Sequence, residues 1–194
     1  MTSQAVFQGL VFDENDQPLN ITFVGSEACY VIDDEGFLRH VPAEKIDNQV
    51  VDAIKNIDTT LLIVGRDGGY KKVLEEKIKE RGIGEKVIFA GGLSDEEVVA
   101  AYQSSDAFVL FSEWEGFGIV VIEAMASGLP VIVSNKGSLP HLVKDGISGY
   151  IANSEKELKE KILLALKGNK KIIAEGEKFA KQFDWDSLTK NLEK

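Results

Sequence analysis

Between residues 57 and 166 the chain alternates short, almost wholly apolar runs with longer segments whose apolar residues recur every three or four positions. TTLLIVG, KVIFAG, DAFVLF and the VIV run at 131–133 are rich in β-branched and aromatic residues and carry at most a charge at the first position. That pattern predicts strands buried on both faces. The segments between them, YKKVLEEKIKERGIG, GGLSDEEVVAAYQSS and IVVIEAMASG, have helical periodicity. In the second of these, Ser94 and Glu97 have the spacing of a capping box, which sets where the helix begins. A further helix is predicted over 43–56, with Ile46, Val50, Val51 and Ile54 on one face. Beyond residue 133, Ser138 with Leu139 and Pro140 opens a short helix and SGYIAN forms a short strand. Ser154 caps another helix, and helices over 170–181 and 186–194 finish the chain. Strand and helix in regular alternation predict an α/β protein with a doubly wound parallel sheet.

The first forty residues read differently. AVFQGLVF, LNITFVG, ACYVID and FLRHV are short strand-like runs, parted by the turn-rich DENDQP and DDEG, and together predict an antiparallel β-meander of three or four strands. Residues 1–50 hold nine acidic and two basic side chains, against 23 and 20 in residues 51–194. The expected division is therefore an acidic antiparallel β segment over 1–36 and the α/β domain over 37–194.

Composition narrows the classes of function. The net charge of −10 argues against nucleic acid, which needs a basic face, so a phosphate ligand would have to be held locally. No apolar run approaches the ~18 residues of a membrane span, and the amino terminus lacks the basic and apolar regions of a signal peptide. The one cysteine, Cys29, allows no internal disulfide and fits a reducing compartment, so a cytoplasmic location is expected. His40 and His141 stand about a hundred residues apart with no other ligand beside them, which supports neither a metal site nor a nucleophilic triad. DENDQP and DDEG are too short for a calcium loop.

The candidate chemistry gathers in residues 111–135, FSEWEGFGIVVIEAMASGLPVIVSN. A strand runs into a glycine-bearing turn, then a helix of about ten residues, then a second apolar strand, which is a βαβ crossover. Gly116 and Gly118 flank Phe117 where the helix begins, so backbone amides at the positive end of a helix dipole can come close to a phosphate or a sugar hydroxyl. Two carboxylates bracket the turn: Glu115 before the helix and Glu123 inside it, roughly 7–8 Å further along the axis at 1.5 Å per residue. Gly65-Arg-Asp-Gly68-Gly69 has the look of a dinucleotide turn but lacks the third glycine and an acidic residue ending the next strand.

The spacing of Glu115 and Glu123, with the GFGIVVI between them and the AMASGLPVIVSNKGSLPHLVKDGISGYIA that follows, resembles the E-x7-E signature of retaining, nucleotide-sugar-dependent glycosyltransferases of GT-B architecture. The resemblance extends more loosely from about residue 37 to the end; residues 1–36 resemble no family. It implies a Rossmann-like domain, half of a GT-B fold, that binds a UDP-, GDP- or ADP-sugar without a metal or other cofactor. It also implies that Glu115 contacts the donor sugar and Glu123 the ribose hydroxyls, with Gly116, Phe117 and Gly118 at the sugar and phosphate. The turn at Gly65 would lie beside the donor crevice, and Phe89-Ala-Gly91 would meet the base through main-chain groups.

The chain departs from that family in two places. The family's domain opens on a strand ending in Gly-Arg-Leu with a Lys five residues after the Arg, a cationic pair for the departing diphosphate. Laid on that block, FLRHVPAEKIDNQVVDAIKN puts Lys45 in the lysine's place and Arg39 six residues ahead, with the glycine absent. Lys45 is then a catalytic candidate beside Glu115, Arg39 a weaker phosphate contact, and the strand at 37–41 is expected parallel to that at 61–64. The second departure is the acceptor-binding domain of such enzymes, which these residues do not include, so a fragment or an engineered chimera not competent alone is expected. Two other readings are a non-catalytic Rossmann scaffold carrying the β segment and a relative of the sugar-nucleotide epimerases.

Overall fold

A computed structural model of the chain describes residues 21–25, 29–32, 38–41, 46–65, 71–112 and 117–183, with side chains from Gln49 onward. The expected first strand over 5–12 and last helix over 186–194 lie outside the described residues. The elements are β1 (Ile21–Gly25), β2 (Cys29–Ile32), β3 (Leu38–Val41), α1 (Ile46–Ile54), β4 (Thr60–Val64), α2 (Lys71–Arg81) and β5 (Val87–Gly91). They continue with α3 (Asp95–Gln103), β6 (Ala107–Leu110), α4 (Ile119–Ala126), β7 (Val131–Ser134), α5 (Leu139–Leu142), β8 (Tyr150–Ala152), α6 (Glu155–Leu166) and α7 (Lys170–Ala180).

Six of the strands form one sheet in the order β5-β4-β1-β6-β7-β8, with every pair parallel. Counted along the chain within that sheet, the order is 3-2-1-4-5-6, the doubly wound Rossmann arrangement. The strands alternate faces residue by residue. Leu62, Val64, Phe108, Leu110, Val131 and Val133 join one apolar cluster with Tyr102 of α3, Val121 and Met125 of α4 and Ala180 of α7. Leu61, Ile63, Ala107, Val109 and Ile132 join the other, with Val50, Val51 and Ile54 of α1, Leu74 and Ile78 of α2, and Leu158 and Ile162 of α6. Helices thus cover both faces, which is why the strands read as continuous apolar runs rather than alternating ones. Local signals hold the helix starts: both hydrogen bonds of the Ser94–Glu97 capping box are made, and the Ser154 and Asn169 side chains cap α6 and α7.

The amino-terminal part corrects the sequence reading. The strand beside β4 is β1, with Ile21 opposite Thr60 and Gly25 opposite Val64; on its other side Thr22 faces Ala107 of β6. The 37–41 stretch does not take that place. Its strand β3 pairs antiparallel with β2, Arg39 opposite Val31, in a separate two-stranded sheet. The LNITFVG run, expected in an antiparallel meander, is therefore the central parallel strand, and it lies ahead of the boundary expected at residue 37. The physical reason is legible in the residues. A central strand of a doubly wound sheet must be apolar on both faces, and ITFVG carries no charge, whereas FLRHV places Arg39 and His40 side by side and would bury one on each face. Removing residues 1–34 would take away the middle strand of the sheet.

Candidate functional site

Strand order alone marks one crevice. β1 is followed by a crossover to β4 on one side, and its other neighbour, β6, begins the run in the opposite direction, so the chain reverses its winding between β1 and β6. In open α/β sheets ligands lie at such a switch point, outside the carboxyl ends of the strands. At this edge stand Gly25 at the end of β1, Gly65 after β4, Phe89–Gly91 of β5, Ser112 after β6 and the start of α4.

The start of α4 has a specific backbone. Gly118 is its N-cap, with φ 82° and ψ 44°, a left-handed conformation that costs residues with a Cβ on the order of 1–2 kcal/mol. It offers no side-chain cap; the Val121 amide donates to the Gly118 carbonyl at 3.0 Å, and the amino-terminal end of such a helix is where backbone amides can meet an anionic acceptor. Phe117, 51% exposed, meets Phe183 edge-on at 5.8 Å between ring centroids, and Phe183 packs on Phe179 of α7 at 5.2 Å. The carboxyl end of α7 is thereby tied to the mouth of the site. Val121, Ile122, Ala124 and Met125 bury one side of α4, which leaves Glu123 on its exposed side.

Glu123 is held from the neighbouring helix. The Tyr102 hydroxyl of α3 lies 3.2 Å from Glu123 Oε2 and 3.4 Å from the Val120 carbonyl, both within reach of its one proton. Tyr102 is 2% exposed, its ring 5.8 Å from that of fully buried Phe108. On the other side of the crevice, the Gly65 amide donates to the Gly91 carbonyl at 3.0 Å, joining the ends of β4 and β5 where the register shifts between Ile63 and Val64. Phe89 lies under the Lys71 ammonium, 5.3 Å from its ring centroid. Behind the turn after β6, the buried Ser134 hydroxyl donates a short hydrogen bond to the Ser112 carbonyl, stitching the ends of β6 and β7 together.

Of the residues singled out from sequence, the structure gathers Phe117, Gly118 and Glu123 at α4, and Gly65 and Phe89 on the same edge of the sheet. Glu115, Gly116 and Lys45 lie outside the described residues. Arg39 sits on β3, off the six-stranded sheet and not on the strand beside β4 where it was expected. The strand in that place, ITFVG, ends in Gly25. His141 is exposed on α5. Tyr102 and Ser134 were missed: each makes a hydrogen bond to a residue 21 or 22 positions away, which no local pattern signals. For Gly25 the signal was present, a charge-free strand ending in glycine. Among the described residues no three His, Cys, Asp or Glu side chains are grouped to hold a metal ion, and no helix is long and apolar enough to cross a membrane.

Comparison with known proteins agrees with this geometry. A glycosyltransferase of Methanocaldococcus jannaschii, itself uncharacterised, is 33% identical over 159 residues, covering 79% of this chain and 44% of the relative. Among solved structures, Anabaena HepE in complex with UDP superposes with a TM-score of 0.78 at 21% identity, over 99% of this chain and 52% of that one. Sucrose-phosphate synthase from Thermosynechococcus elongatus gives 0.75 at 24% identity, over 90% and 44%. These two likenesses are of fold, and the chain spans about half the length of each protein or less. Residues 37–183 match the family described as glycosyl transferases group 1, and with three quarters of its length so matched, the chain belongs to that family of GT-B glycosyltransferases.

Proposed function

We propose that this chain is the nucleotide-sugar-binding half of a retaining glycosyltransferase. The observation that carries the reading is the helix start at the switch point: an N-cap glycine in a left-handed conformation, with an exposed carboxylate on the same helix tethered by a buried hydroxyl. A diphosphate fits the amino-terminal end of α4, and a ribose diol fits the carboxylate of Glu123, which accepts from both hydroxyls. By the family resemblance, Glu115 contacts the sugar together with Gly116 and Phe117, and Phe89 and Gly65 border the base and ribose.

The chemistry asks for little more than charge stabilisation. As the bond between the anomeric carbon and the β-phosphate oxygen breaks, its electron pair stays on that oxygen, and negative charge grows on the diphosphate. Helix amides and a cation, for which Lys45 is the candidate, stabilise it without a metal. The sugar then bonds to an acceptor hydroxyl on the face that the leaving group occupied, and the hydroxyl's proton passes to the departing phosphate. Acceptor binding belongs, in this reading, to the other half of the enzyme, so the chain alone binds donor but does not turn it over.

Calorimetric titration with UDP, GDP and ADP tests the reading, UDP first because HepE was solved with it. At least one should bind, and weakly. Glu123→Ala should cost that ligand about 1.5–3 kcal/mol, the worth of a hydrogen bond to a charged group, without unfolding the chain. Silence for all three nucleotides would refute donor binding and leave a scaffold.

A further inference from the structure

The helix packing around Tyr102 calls for a phenyl ring and not for a hydroxyl. The ring is 2% exposed and packs on Phe108, which a phenylalanine would do equally well, whereas a buried hydroxyl is costly unless bonded. Its nearer partner is Glu123 Oε2 at 3.2 Å, the charged one, with the Val120 carbonyl at 3.4 Å. Glu123 is otherwise a solvent-exposed side chain on α4, free to change rotamer, and immobilising such a chain on binding costs conformational entropy.

We infer that Tyr102 is a positioning residue for the nucleoside: its hydroxyl, presented by α3 from beneath, fixes one carboxylate oxygen of Glu123 before the ligand arrives. Oε1 and the remaining lone pairs of Oε2 are then left to accept from the ribose 2′- and 3′-hydroxyls. Part of the ordering cost of binding is met in the free protein, by a residue that does not touch the ligand. This rests on the reading of Glu123 as the ribose acceptor and adds to it the element that aims it.

The test is a double-mutant cycle on two ligands: the tightest of UDP, GDP and ADP, and its 2′,3′-dideoxy counterpart. Tyr102→Phe keeps the ring and removes only the donor, and thermal unfolding without ligand checks that the fold is kept. It should weaken the ribonucleotide about threefold to tenfold, less than Glu123→Ala does, and leave the dideoxy ligand unchanged. In the Glu123→Ala background it should have no further effect. Parent affinity in Tyr102→Phe while Glu123→Ala binds more weakly would overturn the inference and leave the ribose reading standing. Equal losses for both ligands, or a loss that persists without Glu123, would overturn it too, because they mark a purely structural role. Parent affinity in both single variants, or no binding at all, would refute the ribose reading and the inference with it.

Discussion

Substituting Gly118 by alanine separates what its backbone does for the fold from what it does for a ligand. Gly118 holds φ 82° and ψ 44°, where a Cβ crowds the following carbonyl, at a cost of about 1–2 kcal/mol. For a chain of this size 1 kcal/mol moves the unfolding midpoint by roughly 2–4 °C, so Gly118→Ala should lower it by about 2–8 °C. The matched control is Gly146→Ala, in the turn before β8, where φ is 70° and an added Cβ would meet nothing within 4 Å. Its midpoint should fall by a similar amount. The variants should part on nucleotide binding. If the proposed donor site is right, a methyl at Gly118 stands in the way of the phosphate, and losing one charge-assisted hydrogen bond, about 1.5–3 kcal/mol, weakens binding tenfold or more. Gly146→Ala should bind as the parent does. Differential scanning calorimetry gives the first quantity and titration calorimetry the second. An undiminished midpoint in Gly118→Ala would refute the left-handed helix start, and unchanged affinity beside a lowered midpoint would refute the approach of the diphosphate to that start.

Two further substitutions check the frame around the site. Gly149→Ala would set a Cβ 2.6 Å from Val131 Cγ2 and 2.9 Å from both the Val131 carbonyl oxygen and Val143 Cγ1, all on buried residues. Overpacking of this kind costs about 1–3 kcal/mol, and urea unfolding within 0.5 kcal/mol of the parent would contradict the closeness of β7 and the chain entering β8. Asp52 and Arg81 join α1 to α2 by paired hydrogen bonds, and the guanidinium lowers the Asp52 pKa from its ordinary 3.8. Because the folded-state pKa is the depressed one, the stabilisation is full above the unfolded value and lost as pH falls through the folded one. After allowance for exposure it amounts to about 0.5–1 kcal/mol. Asp52→Asn should therefore be less stable than the parent at pH 7, with the gap narrowing as pH falls below 3.8; a gap as wide at pH 2 as at pH 7 would show another origin.

Much of the molecule can be read from the residues alone, because the signals are local. DAFVLF and VIV have no polar face to give to solvent, so they are interior strands in any packing, as β6 and β7 are. Ser94 and Glu97 build their own helix start from four consecutive residues. The glycine of the α4 turn and the glutamate on the helix after it follow from their order in the chain, and with the sequence around them point to a nucleotide-sugar family. Sequence could not choose the neighbour of β4. The partners of β1 lie about forty residues ahead on one side and more than eighty on the other, and parallel hydrogen bonds between main-chain groups leave no mark on side-chain periodicity. Only the burial demanded of both faces excludes FLRHV in favour of ITFVG, and that demand exists only once the helices on each side are in place. The tertiary structure also decided where winding reverses, and therefore which strand ends form the crevice. It brought the Tyr102 hydroxyl to Glu123 and the Gly65 amide to Gly91, contacts made by elements that meet in the folded sheet and are strangers along the chain.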